Sequence, residues 1–345
     1  MIEDDQLDDV LSGIDELMQQ KLFVEAIARL RAAHRKQPES RYEKLLALCR
    51  YQAYLAHPPQ PAVLEPWPLP VTDDPFASTR GVPEIEASQL DATTLAAGIG
   101  CHGALLVRGL LREPRALQLA AGVRQALEAC EEWQRNSQQV VESPWYSRLP
   151  LPEDCELAPA RVWVEGAGGV WTADSPRMLS ELAEVFESSG VVAAIAGYFG
   201  ERPMLSVGKS TLRRVPSTIQ LADWHQDGAF MGSDIRSVNV WLSLSHCGVD
   251  ASGLELLPRR LSKVLPTGSH GAHFDWSVGQ GMVEQAAEGM ATVSPVFAPG
   301  DALLFDHFFL HRTGIPAGIA KDRYAIESWF FAPSAYPAQQ VPLWL

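Results

Sequence analysis

The 345-residue chain has no C-x-x-C pair, and its five cysteines (Cys49, Cys101, Cys130, Cys155, Cys247) are scattered along it. An odd number without paired spacing argues against a disulfide framework or a zinc knuckle and fits reduced thiols. Basic charge is scarce as well: 28 Lys and Arg stand against 42 Asp and Glu, a net charge of -14. Nucleic acids and anionic membranes are held by concentrated positive charge, so neither is expected as a partner. No apolar run approaches the ~18 residues of a membrane span. The start, MIEDDQLDDV, is acidic where a signal peptide is basic and then apolar. A soluble, cytoplasmic protein is the expectation. Low-complexity tracts are missing too, and 46% apolar residues with ten tryptophans suffice to fill a core.

The periodicity divides the chain. Leu7, Val10, Leu11, Ile14 and Leu17 recur at helical steps, as do Phe23, Ala26, Ile27 and Leu30, while Leu45, Leu46, Leu48, Tyr51 and Tyr54 suggest a third helix. The F-x-E-A-I-like segment with its following helix resembles a tetratricopeptide unit. One and a half such units cannot bury a solenoid core alone, so residues 1–57 are expected to cap the remainder, self-associate or dock a partner. HPPQPAVLEPWPLPVTDDP, residues 57–75, is too rich in proline for helix or central strand and reads as an extended linker, assigned to 58–79. Then follow a strand at Ala104–Val107, a helix from Glu113 to Trp133, and a helix from Pro176 to Phe199 with a break at Gly190.

From about residue 203 the texture becomes that of short strands. Candidates are Met204–Val215, Thr218–His225, Ser237–Ser245, Leu254–Leu257, Ala291–Val296, Ala302–His307 and Tyr324–Phe331. In SVNVWLSLS, Val238, Val240, Leu242 and Leu244 alternate with Asn239, Trp241 and Ser243. Many short strands separated by turn residues predict a mainly β fold of jelly-roll kind with flanking helices.

Two motifs mislead. G-I-G-C-H-G, residues 98–103, spells a dinucleotide fingerprint, but helix-like DATTLAAG precedes it and strand-like ALLVRGLL follows. The fingerprint needs the opposite order, so a helix C-cap and turn is the reading. H-F-F-L-H, residues 307–311, has metal-ligand spacing on a helix, yet it lacks the zinc-protease Glu and follows a strand-like GDALLF.

D-W-H-Q-D-G-A-F, residues 223–230, is more informative. Residues i and i+2 of a strand share a face, which would direct His225 and Asp227 inward together. A third ligand must come from another strand, and His311 is well placed, with His307 its competitor. Two histidines and a carboxylate on one octahedral face leave three positions open, the arrangement of non-haem Fe(II) oxygenases. Two open positions can chelate a 2-oxo acid and one can take O₂. The distal carboxylate of 2-oxoglutarate then needs a cation, and Arg323, twelve residues after His311, can supply a permanently charged bidentate fork. Thr313 adds a hydroxyl donor. Lys209, Arg213 and Arg214 would anchor an acidic substrate or form a solvated face. Trp145, Trp163, Trp171 and Trp276 are candidates for pocket lining or for ordinary packing.

The succession H-Q-D-G, V-N-V-W-L-S-L, G-L-E-L-L-P-R-R, P-G-D-A-L-L-F-D-H-F-F-L-H-R-T and R-Y-A-I-E-S-W-F resembles the phytanoyl-CoA dioxygenase family over roughly residues 80–335, most specifically 220–331. The resemblance implies an oxygenase domain over 80–345 with a double-stranded β-helix core at about 203–335. It implies iron ligation by His225, Asp227 and His311, 2-oxoglutarate contacts from Arg323 and Thr313, and a co-substrate pocket lined by Gln226 and Trp241. The implied reaction consumes O₂ and 2-oxoglutarate, releases succinate and CO₂, and hydroxylates a C–H bond of a small-molecule or natural-product substrate. Asp227 fits hydroxylation, or a related desaturation or cyclisation, since halogenases of similar architecture carry a small residue there. Ser252-Gly253-Leu254-Glu255 stands where members often have Asn-Gly-Cys-Leu, which puts the substrate contacts in question. Competing readings are a cupin-type metalloenzyme without an oxo acid, although the cupin H-x-H pair is missing, and a non-catalytic jelly-roll binding protein.

Overall fold

The computed structural model describes residues 2–56, 71–136, 143–151, 157–337 and 339–345, with residues 2–8 as backbone only. Most of the proline-rich 57–75 segment and Cys155 fall outside them. Three helices open the chain: α1 (Ile2–Gln19), α2 (Phe23–Lys36) and α3 (Ser40–Ala56). The helical spacing seen in the sequence becomes a small core in which Ile14, Phe23, Ala26, Ile27, Leu30, Tyr42, Leu46, Cys49 and Ala53 are buried together.

The following elements are β1 (Glu84–Glu86), α4 (Ala92–Ala97), β2 (Ala104–Arg108), α5 (Glu113–Arg135), α6 (Ala158–Gly166), β3 (Gly169–Trp171), α7 (Pro176–Ser188) and α8 (Val191–Phe199). Gly190, at φ +81°, separates the last two, where an L side chain would be strained. After α4, one wide helical turn over Gly98–His102 ends on Gly103 at φ +88° and leads into β2. The G-I-G-C-H-G run is therefore a helix end before a strand, not a nucleotide loop.

The second half contains β4 (Met204–Val215), α9 (Gly228–Met231), β5 (Ser237–Ser243), β6 (Gly253–Leu256), α10 (Gln280–Ala287), β7 (Ala302–Phe305), β8 (His311–Gly314), β9 (Arg323–Phe331) and β10 (Pro342–Trp344). Eight strands form one sheet in the order β1-β2-β7-β5-β9-β4-β10, with β3 also paired to β4, while β6 and β8 make a separate pair. Every described neighbour contact in the large sheet is antiparallel except β1 with β2.

The alternation of β5 sets two cores. Val238, Val240 and Leu242 join Leu105, Val107, Leu304, Ile326 and Phe330 under helices α5, α7 and α8. On the other face, Trp241, Leu303, Phe305, Trp329 and Phe331 pack against Leu254, Leu256, Phe297 and Phe309 from the side of the small sheet. The inner face of the large sheet is thus covered by β6–β8, and the outer face by helices.

Several expectations need correction. Helix outweighs strand, 41% to 20%, so the chain is a mixed α/β protein and not mainly β. Helices α1–α3, α5, α7 and α8, each marked by the periodicity of the sequence, together outweigh the short strands. Thr218–His225 and Ala291–Val296 are irregular segments whose only pairings are isolated bridges at Trp224, His225 and Val293. Of their large apolar residues Trp224 is buried, while Leu221 and Val296 are exposed, so no continuous apolar face drives a ladder. Strand β8, by contrast, goes beyond the expected set, since H-R-T-G carries little strand signal by itself. Among the described residues, no single helix is long and apolar enough to cross a membrane.

The N-terminal helices rest on α7 and β10 largely through charge. Arg31 pairs with both oxygens of Glu187 at 2.5 and 2.8 Å, Arg35 with Glu184 at 3.0 Å, and buried Arg50 donates to the carbonyl of Trp344 at 2.8 Å. Arg177 of α7 is bonded to Glu43, whose side chain is fully buried and whose other ionic neighbour is His34 at 3.5 Å. Burial pushes the Glu43 carboxyl up, against Arg177, which pulls it down. Arg177→Met should therefore strand a buried carboxylate and lower stability by about 3 kcal/mol. In urea titrations the double variant Glu43→Gln/Arg177→Met should recover part of that loss, and additive losses would contradict the coupling.

Candidate metal centre

His225 and His311 lie far apart in sequence but exchange both backbone hydrogen bonds, His225 N–H to His311 C=O at 3.0 Å and the reverse at 3.1 Å. This two-way bridge sets the imidazoles side by side, with ring centroids 4.4 Å apart. Each ring is then oriented the same way. Nδ1 of His225 lies 3.1 Å from the carbonyl of Asp223, and Nδ1 of His311 lies 3.0 Å from that of Phe309. A carbonyl can only accept, so Nδ1 carries the proton in both rings and Nε2 is left with its lone pair.

Asp227 completes the group. One ligand atom from each of His225, Asp227 and His311 lies within 4.8 Å of the others, and His311 Nε2 is 3.8 Å from Asp227 Oδ2. Donors of this kind bond a divalent ion at roughly 2 Å, so the three are within reach of a single ion. The route by which Asp227 arrives differs from the strand expected of it. It has helical dihedrals, φ -64° and ψ -21°, and caps α9. A tight turn after His225, rather than strand alternation, returns the carboxylate to the imidazoles. Gly228 allows that turn: a Cβ there would stand 2.7 Å from Val264 and 3.0 Å from the carbonyl of His307.

The charges suit a cation. Burial alone would push the Asp227 carboxyl up, but its neighbours, the Lys209 ammonium foremost, hold it below the usual range, so it is ionised. Lys209 Nζ is 3.4 Å from Oδ1. Burial, followed by the neighbouring His225, pushes His311 down to about 4, which leaves its imidazole neutral and able to donate a lone pair.

His307 is elsewhere. Its ring is buried, 2.8 Å from Ser237 Oγ and 3.2 Å from the carbonyl of Ser233. H-F-F-L-H is thus a turn between β7 and β8, with one histidine structural and the other at the centre.

Arg323 opens β9 inside the fold and is 2% exposed. Nη1 donates to the carbonyl of Gly253 at 2.6 Å, and Nε is buried with no partner. No carboxylate among the described residues forms an ion pair with it. Burial pulls this guanidinium down to about 10. A buried guanidinium with an orphaned N–H is costly unless an acceptor arrives, which fits a carboxylate ligand. Trp241 packs beside it, its ring 5.5 Å from the guanidinium carbon, and rests against Phe297 at 4.9 Å. Thr313 lies on β8, paired with Leu254 of β6.

Gln226 does other work. Its Nε2 donates to the carbonyls of Lys263 and Phe308 at 3.1 and 2.5 Å, and its Oε1 accepts from Leu265 N–H at 2.7 Å. Its amide pins the 263–265 loop to the turn at Phe308. Glu327, which no motif singled out, stands on the inner face four residues after Arg323, with Thr211 Oγ1 donating to it at 3.2 Å and Arg213 Nε 3.7 Å away. Period-two alternation from Arg323 is the signal that would have found it. Arg213 and Arg214 are thus engaged within the chain, Arg214 at 4.0 Å from Glu131. Glu255, in the departure from the family pattern, pairs with Arg312 at 2.6 Å.

No protein-family profile matches the chain, and no curated protein matches it. Several solved structures are similar in fold. AviO1 from Streptomyces viridochromogenes Tue57 is 16% identical, with 72% of this chain and 99% of that one covered at a TM-score of 0.44. The non-haem alpha-ketoglutarate-dependent carbocyclase SnoK from nogalamycin biosynthesis is 13% identical over 73% of this chain and 87% of its own, at 0.46. EctD from S. alaskensis, solved with 2-oxoglutarate and 5-hydroxyectoine, is 15% identical over 80% and 86%, at 0.45.

Full-length protein stripped by chelator should bind one Co(II), read by its visible absorption. Asp227→Ala and His311→Ala should each weaken that binding by at least about 100-fold. His307→Gln should retain it, and loss of binding in His307→Gln with retention in His311→Ala would reverse the assignment of the two histidines.

Proposed function

We propose that the chain is an Fe(II)- and 2-oxoglutarate-dependent dioxygenase that hydroxylates a C–H bond of a small molecule, built on a double-stranded β-helix. The carrying observation is the convergence of His225, Asp227 and His311 with ligand atoms within 4.8 Å of one another, in a fold that also holds a buried Arg323 whose Nε lacks an acceptor. The large inner sheet faced by β6–β8 supports the β-helix reading, since both sheets contribute residues to one interior.

The residues divide the work. His225 and His311 present neutral Nε2 atoms, oriented by the carbonyls of Asp223 and Phe309. Asp227 supplies one negative charge, steadied by Lys209. Three protein ligands leave open positions on an octahedral ion, which suits Fe(II) oxygenase chemistry better than a closed structural site. Arg323 holds the distal carboxylate of 2-oxoglutarate as a charge-assisted pair inside the fold, where water competes poorly. Thr313 adds a hydroxyl donor and Trp241 keeps water from the guanidinium. When bound, iron with 2-oxoglutarate and O₂ supplies an oxidant able to take hydrogen from an unactivated C–H bond, the oxo acid leaving as succinate and CO₂.

Mixing the protein anaerobically with Fe(II) and 2-oxoglutarate should produce a weak visible charge-transfer band and, on admitting O₂, succinate. Arg323→Met should raise the 2-oxoglutarate concentration for half-development of the band by about 10- to 100-fold. A band that never forms with iron bound, or forms equally well in Arg323→Met, would exclude this function.

A further inference from the structure

Beside the metal centre lies exposed aromatic surface that the mechanism above leaves unused. Trp276 stands edge-on to His225, with ring centroids 6.1 Å apart and planes at 81°. Phe274 is parallel to Trp276, 4° between planes at 5.3 Å, and Phe230 is inclined to Trp276 by 49° at 5.9 Å. The three rings are 45% (Phe230), 47% (Phe274) and 37% (Trp276) exposed, although burial would stabilise each by a few kcal/mol. Single exposed apolar side chains are ordinary, but a contiguous cluster at the edge of a site marks binding surface.

The platform is held rigidly in this exposed position. Asp223 pairs with His273 at 2.8 Å, Phe274 N–H donates to Ser277 Oγ at 3.2 Å, and Val278 N–H donates to the carbonyl of Trp224 at 2.8 Å. Gly279 sits so close to its own loop that a Cβ would lie 2.1 Å from the carbonyl oxygen of Ser269. Phe230 is fixed from the other side, in α9 three residues after Asp227, with Lys209 Nζ 4.9 Å from its ring centre. A loop tied to the segment carrying His225 holds Trp276, stacked on Phe274, in place and leaves both rings partly exposed.

We propose that Trp276, with Phe230 as a side wall and Phe274 as backing, is the substrate platform of this enzyme, and that the substrate presents a flat, uncharged, carbon-rich ring to it. This rests on the oxygenase reading and adds a substrate class. A floor and an inclined wall of aromatic rings match the face and edge of a planar ring and give a flexible chain no comparable fit. Trp276 is about one ring's breadth from His225, so the carbon offered to the metal centre is in the stacked ring or attached directly to it.

The test uses full-length protein, first without metal and then with Co(II) and 2-oxoglutarate, and two probes: planar 2-naphthol and flexible 1-octanol. Saturation-transfer NMR and titration should show 2-naphthol bound the more tightly. Trp276→Ala and Phe230→Leu should each weaken 2-naphthol by about five-fold. Trp276→Phe should retain most of the affinity, and Trp163→Ala, at an exposed tryptophan on α6, should change nothing. Equal binding of 2-naphthol by wild type and Trp276→Ala, or 1-octanol binding as tightly as 2-naphthol, would overturn the proposal. If Trp276→Ala does not fold, the same comparison with Phe230→Leu decides the matter. Because the stacking is read on metal-free protein, its failure is separable from a failure of the charge-transfer band.

Discussion

The pair of backbone hydrogen bonds between His225 and His311 is the joint on which the interior depends. It ties an irregular segment after β4 to the start of β8, and through β8 to β6. Without it, the two imidazoles would sit on separate loops, and Asp227, placed by the turn that follows His225, would have nothing to converge upon. Backbone pairing suits this purpose because it fixes position without using the side chains, which stay free for ligands. The orientation of each ring is delegated to a carbonyl two residues earlier.

The electrostatics follow from that geometry. The neutral imidazole of His311 lies by an ionised Asp227, whose charge is met by Lys209. Arg323 is the exception: it is buried, bonded on one nitrogen, and unmatched on another. An orphaned N–H on a buried cation calls for an acceptor, and a carboxylate ligand would supply one. The aromatic rings around Trp276 present the same logic in apolar form, since they are held partly exposed beside the centre at a cost that only an occupant repays.

Parts of this were legible in the sequence and parts were not. The helices of residues 2–56, the break at Gly190 and strands β4, β5, β7 and β9 announced themselves because the residue patterns that mark them are local. Thr218–His225 and Ala291–Val296 have strand composition but only isolated bridges, since a strand exists by its neighbours and composition cannot name them. Helices α5, α7 and α8 are legible one by one, but that they cover the outer face of the sheet is a tertiary outcome.

By itself the sequence determined residue chemistry and offsets: an imidazole and a carboxylate two apart, a third ligand type beyond a strand, an arginine at the head of the next. Which histidine of H-F-F-L-H turns toward Asp227, the commitment of the Gln226 amide to backbone and the place of Glu327 in the interior come from the folded chain. Those outcomes depend on which face of the chain meets which neighbour. That is fixed by long-range packing and by bridges such as the one joining His225 to His311, which no short window of sequence contains.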